Sequence, residues 1–146
     1  VDMVSNFVPK DKVIVSTIDK YKNKKEYKSK GGDFNNLPVT VLTNENTASA
    51  SEIFSGALKD YKLATIVGKK TYGKGVVQTI LDTGDSTALK VTISKYYTPN
   101  GEDINKKGIN PDVEVEYPDE LKESSYDRSR DPQFSKAYEI AKSKVK

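Results

Sequence analysis

An α/β fold with a mixed sheet and a C-terminal helix is the architecture the sequence predicts, on three patterns. The β-branched run Pro38-Val39-Thr40-Val41-Leu42 precedes a helical stripe, and Leu63-Ala64-Thr65-Ile66-Val67 follows it. Strand, helix and strand in that order imply a right-handed parallel crossover. Two further strand-like runs flank Gly84-Asp85, as in a long hairpin. Asp131-Pro132 then opens a terminal segment with the start signals of a helix.

The elements follow in order. Val1, Val4 and Val8 suit the tail of a helix, which Pro9 stops. Val13-Ile14-Val15 and Glu26-Tyr27 bracket a lysine-rich turn and read as two strands. Gly31 to Asn36 is a loop by composition. Pro38 can open the next strand without losing a ladder bond. The helix is expected from about Thr47 to Tyr61, with Ile53, Phe54, Ala57, Leu58 and Tyr61 on its buried stripe and Ser51 and Ser55 on the flank away from it. Val76 to Leu81 and Ala88 to Tyr97 form the hairpin, and Asp112 to Val115 a last short strand. The terminal helix is expected to carry Phe134, Ala137, Tyr138 and Ala141 on one face.

Composition excludes several chemistries. The 146 residues suit one domain with a real core. With 35% hydrophobic and 31% charged residues, the surface is polar. No run of eighteen apolar residues marks a membrane helix, and no signal-peptide pattern opens the chain. The absence of Cys and His removes disulfides, thiolate and imidazole metal sites, Ser-His-Asp triads and Cys-His pairs. Neither a cofactor nor a metal is expected. A net charge of +3 is too weak to argue for nucleic acid, and the eight lysines between Lys10 and Lys30 read as a solvated hairpin.

Gly68-Lys69-Lys70-Thr71-Tyr72-Gly73-Lys74 matches the first seven positions of a P-loop. The eighth position, which must hold magnesium through a hydroxyl, is Gly75, and a strand follows where a P-loop feeds a helix. Nucleotide binding is therefore not expected.

Nucleophilic chemistry remains open to a hydroxyl activated by a lysine. Ser49 and Glu52 have capping-box spacing, which explains both without any chemistry. Helical phase nevertheless places Ser49 in line with Ile53 and Ala57, at a helix N-terminus whose amides and dipole stabilise a developing oxyanion. Lys74 can be an ordinary solvated lysine. Its flanking Gly73 and Gly75 permit close backbone approach, and a lysine drawn into a cleft becomes a proton acceptor. Gln78 is four residues on and reaches Lys74 only if the chain bends near Gly75.

Thr47-Ala48-Ser49-Ala50-Ser51-Glu52-Ile53, followed by Gly68-x-x-Thr71-Tyr72-Gly73-Lys74-Gly75 and Gln78, closely resembles the carboxyl-terminal processing (tail-specific) serine proteases. Lys95 to Gly101, Gly108 to Val113 and Asp131-Pro132-Gln133 extend the likeness. The resemblance implies Ser49 as nucleophile, Lys74 as general base, Gln78 as the residue orienting the lysine, and the Ala50 amide as an oxyanion donor. It implies a spiral β-β-α core shared with ClpP and crotonase-like proteins. It also implies cleavage of unstructured protein segments near their C-termini, outside the cytoplasm, without metal or cofactor.

On that resemblance, residues 1–118 correspond to a partial protease core and 119–146 to a polar segment and helix. The family's PDZ domain and its upstream Asn-Pro-Gly-Gly segment, the source of a second oxyanion donor, have no counterpart in these residues. Loss of one donor costs on the order of a hundredfold in rate, so weak activity is expected of this stretch alone. Membrane association is expected only through parts outside this sequence. The expected partner is an unstructured polypeptide, with homodimer formation as a further expectation. A non-catalytic peptide- or ligand-binding module on the same fold is the alternative reading.

Overall fold

The computed structural model describes residues 1–145; Lys146, the end of the predicted C-terminal segment, lies outside the described residues. The chain begins with a short helix α1 (Asp2–Ser5), then strands β1 (Val13–Asp19) and β2 (Lys24–Lys28). β3 (Val39–Thr43), helix α2 (Ala50–Asp60) and β4 (Ala64–Gly68) form the central unit. The long hairpin is β5 (Val76–Asp82) with β6 (Ala88–Tyr97). β7 (Val113–Glu114), a helical turn α3 (Asp119–Lys122), a 3-10 turn (Arg128–Arg130) and helix α4 (Pro132–Lys144) complete the chain.

The predicted α/β architecture is present, with its parallel and antiparallel strands in separate sheets. One is antiparallel, in the order β2-β1-β6-β5, and the other parallel, in the order β3-β4-β7. β3 pairs with β4 from Val39↔Ala64 to Thr43↔Gly68, which brings the loops leaving both strands to the same end. In open parallel sheets, that carboxyl end is where sites form. The predicted last strand is only two residues long, because the Asp112 carboxylate takes over and accepts the Ile66 N–H at 2.8 Å.

The core explains this arrangement. Val4, Val8, Ile14, Val15, Ala57 and Leu58 are buried together, with Phe7, Val41, Ile53 and Phe54 packed around them. Phe7 meets Phe54 edge-on, with ring centroids 5.8 Å apart. α4 lies across β3 and β4, capped by the Asp131 carboxylate, which accepts the Phe134 N–H at 2.9 Å.

One burial expectation is corrected. Ser55 is fully buried rather than on an outer flank, because α2 is covered on several sides. Its hydroxyl is satisfied locally, donating to the Ser51 carbonyl at 2.8 Å. Tyr138 is exposed and stacks on Phe134, while Gln133 and Ala137 are buried on α4. Tyr138 thus points outward, and the Gln133 amide instead reaches the Val115 carbonyl at 2.8 Å. α2 also starts three residues later than expected, because residues 44–49 form a separate loop held by Thr47.

Leu58 has no solvent exposure and joins α1, α2 and β1 in one cluster. Leu58→Ala is expected to cost about 2–5 kcal/mol of folding stability through lost transfer energy and a residual cavity. Urea denaturation checks this, and an unchanged midpoint would remove Leu58 from the core.

Candidate active site

Ser49 is the residue just before α2, at the end of the loop leaving β3. Its backbone has φ 56° and ψ −116°, a conformation that L side chains rarely adopt. Such strain costs about 1–3 kcal/mol and persists only where surrounding structure enforces it. Beside Ser49, the exposed Ala50 amide donates to no protein group among the described residues. That is expected of the first amides of a helix.

Glu52 does what enforces this geometry. It is completely buried. One carboxylate oxygen accepts the Ser49 N–H at 2.9 Å and the Lys74 N–H at 2.8 Å. The other accepts the Gly73 N–H at 2.7 Å and the Thr71 hydroxyl at 2.5 Å. A single side chain thus ties the backbone of the serine to that of the lysine loop. Sequence reasoning gave Glu52 only a capping role. The available signal was the run Ser55-Gly56-Ala57, small residues that admit another segment against the helix. Ile109 and Thr98 do pack there, at 3.2 and 3.3 Å from where a Gly56 Cβ would lie.

The lysine loop is held from its other side as well. Thr71 Oγ1 accepts the Ile109 N–H at 2.7 Å, and the Tyr72 N–H donates to the Thr47 carbonyl at 2.9 Å. The Gly73 carbonyl accepts the Lys106 N–H at 2.8 Å. Both flanking glycines are required. Gly73 has φ +89°, and a Cβ on Gly75 would lie 2.4 Å from the Asn105 nitrogen.

The structure brings Ser49, Ala50 and the Lys74 backbone to one place through Glu52. It does not join the reactive side chains. Lys74 is exposed rather than drawn into a cleft, and no hydrogen bond links its amine to Ser49 among the described residues. Gln78 is also exposed, and its amide donates to the Thr92 hydroxyl at 3.3 Å rather than to Lys74. The backbone continues from Gly75 into β5, paired with β6, and carries Gln78 along the strand.

Nearby, a cleft of ≈ 380 Å³ is lined mainly by apolar side chains, including Met3, Val41, Leu42 and Phe54, and reaches Ala50. A larger cleft of ≈ 690 Å³ lies beside Asn44, Lys69 and Tyr126, and neither Ser49 nor Lys74 lines it. Lys69 bonds Glu114 and Glu116, which hold its amine above the ordinary lysine range. It is thereby committed to binding β7 and the residues just after it.

Two measurements test this construction. Glu52→Gln turns one acceptor oxygen into an N–H₂ facing donors. A hydrogen bond to a charged group is worth about 1.5–3 kcal/mol, so a loss of about 2–4 kcal/mol is expected. Faster amide exchange at Gly73 and Lys74 should accompany it, and unchanged exchange would show that the carboxylate does not hold the loop. Ser49→Gly is expected to be about 1–2 kcal/mol more stable than Ser49→Ala, because glycine alone relieves the positive φ. Equal thermal stabilities would mean the turn is unstrained.

Comparison with known proteins agrees with this fold. The model of peptidase family S41 matches residues 1–115. The carboxyl-terminal-processing protease of Synechocystis sp. is 41% identical over 118 residues, covering 81% of this chain and 27% of that protein. The chloroplastic C-terminal processing peptidase of Tetradesmus obliquus is 51% identical over 79 residues, covering 54% of this chain and 17% of its own length. The solved photosystem II D1 C-terminal processing protease superposes with a TM-score of 0.73 at 39% identity, covering 78% of this chain and 30% of that one. A lipoprotein from Streptococcus agalactiae shares the fold, with a TM-score of 0.72 at 19% identity over 98% of this chain and 48% of its own. The chain spans well under a third of either curated relative. The family model's match to residues 1–115, with the similarity to these carboxyl-terminal processing proteases, places this protein in peptidase family S41, the carboxyl-terminal processing serine proteases.

Proposed function

We propose that this chain carries the reacting groups of a peptidase acting on unstructured polypeptide near its C-terminus, outside the cytoplasm. Ser49 Oγ attacks the scissile carbonyl carbon, and its proton passes to the neutral amine of Lys74. The carbonyl oxygen becomes an oxyanion that the Ala50 amide stabilises. Lys74 then gives its proton to the leaving amine as the carbon–nitrogen bond breaks, and water hydrolyses the acyl-serine ester by the same sequence. Gln78 orients the Lys74 amine.

The observation that carries this reading is the strained Ser49 backbone at the end of β3, enforced by a buried carboxylate that also grips the lysine loop. A capping serine alone needs no such strain. Catalytic hydrogen bonds are often long before substrate binds. The competing reading, a peptide-binding module without chemistry, draws its support from the exposure of Lys74 and the Gln78–Thr92 contact.

A fluorophosphonate probe followed by mass spectrometry separates the two. The expected result is a single adduct on Ser49, forming about 10²–10⁴-fold more slowly in Lys74→Ala, the range for loss of a general base. Lys74→Arg should not rescue it, because a guanidinium does not deprotonate. Labelling of Ser49 that ignores Lys74 would refute the dyad. Peptide binding without any labelling would establish the binding module.

A further inference from the structure

The β1–β2 hairpin concentrates positive charge. Eight lysines against Asp11, Asp19 and Glu26 give residues 10–30 a net charge of +5, where the whole chain carries +3. All eight lysines are exposed. Glu26 pairs with Lys24 at 2.8 Å, and Asp2 with Lys30 at 2.8 Å. Lys10, Lys12, Lys20, Lys22, Lys25 and Lys28 pair with no carboxylate among the described residues. β2 is an edge of its sheet, so the charge lines a border that no neighbouring strand covers.

The tip of the hairpin also holds one aromatic ring in solvent. Tyr21 is 73% exposed between Lys20 and Lys22, and the Lys20 amine lies 4.9 Å from its ring centre. The Asp19 carboxylate fixes this turn. It accepts the Tyr21 N–H at 2.8 Å, the Asn23 N–H at 2.9 Å and the Asn23 side-chain amide at 2.8 Å. Tyr27, by contrast, packs against the core with the Lys25 amine over its ring. A solvated turn needs no large ring. Tyrosine among lysines suits a boundary between water and apolar matter, where the ring dips in and the amines meet anions.

We propose that this hairpin docks on the surface of an anionic lipid bilayer. Each lysine held near such a surface strengthens partitioning about fivefold. The charged β2 edge discourages pairing with another strand, which argues against a protein partner. Single-stranded nucleic acid is held by aromatics stacked on successive bases, and this hairpin exposes one ring. The described residues hold no helix long and apolar enough to cross a membrane, and this contact needs none. Lys24, Ile18, Lys95 and Val76 pair in one row across the sheet. Three strand spacings, about 14 Å, thus separate the lysine edge from the residue two places after Lys74. A chain docked by this hairpin holds the lysine loop close to the bilayer.

The test is co-sedimentation of the chain with phosphatidylcholine vesicles, with and without about one third phosphatidylglycerol. Binding is expected only to the mixed vesicles, and salt should release it. Lys22→Gln combined with Lys25→Gln should weaken binding about thirtyfold. Lys136→Gln combined with Lys142→Gln removes two exposed lysines of α4 and should change it by less than about twofold. The sequence has no tryptophan, so Tyr21→Trp supplies a single fluorophore at the tip. Its emission is expected to shift to shorter wavelength on the mixed vesicles alone. Absence of binding to mixed vesicles would overturn the proposal, as would equal weakening by the α4 pair or binding that leaves the emission unshifted. An emission shift produced by a single-stranded oligonucleotide and not by vesicles would overturn it too, and would assign the hairpin to nucleic acid.

Discussion

A single carboxylate, that of Glu52, determines how this fold presents its chemistry. It has no solvent exposure and no cationic partner among the described residues. Burying a charge is costly unless hydrogen bonds replace its hydration. Here three backbone N–H groups and one hydroxyl replace it, from the start of α2 and from the loop after β4. The carboxylate therefore fixes two elements that the parallel sheet has already brought to one end.

The clamp and the strain at Ser49 belong together. A residue with φ 56° relaxes unless its neighbours hold it. The Ser49 amide is held by Glu52, and Glu52 is held by the loop whose next residue carries the proposed base. Strain at the serine is thus offset by bonds that position the lysine. The residues that the family model matches span both halves of the arrangement.

The segment from Thr98 to Asp112 braces the lysine loop and the C-terminal end of α2. The Asn100 N–H meets the Asp60 carboxylate at 2.8 Å, and Lys59 pairs with Asp112 at 2.9 Å. Ile109 bonds Thr71, and Lys106 bonds Gly73. This irregular stretch reads as loop in the sequence, yet it makes the lysine loop rigid. The tip of the β5–β6 hairpin has no such support among the described residues and is exposed.

The sequence by itself determined the element order, the α/β class, the family and the positions of Ser49, Lys74 and Gln78 along the chain. Those features reside in local periodicity, turn chemistry and motif spacing, all short-range. The need for Gly73 and Gly75 was legible for the same reason. Ser55 was misplaced because helical phase shows which residues share a face, but not how many neighbours cover that face. Glu52 looked like a cap because its first partner is three residues away. Its other partners are 19 to 22 residues away. Only the tertiary structure brings them to the carboxylate. It likewise decided that Gln78 meets Thr92, since strand pairing joins residues whose separation no local pattern encodes.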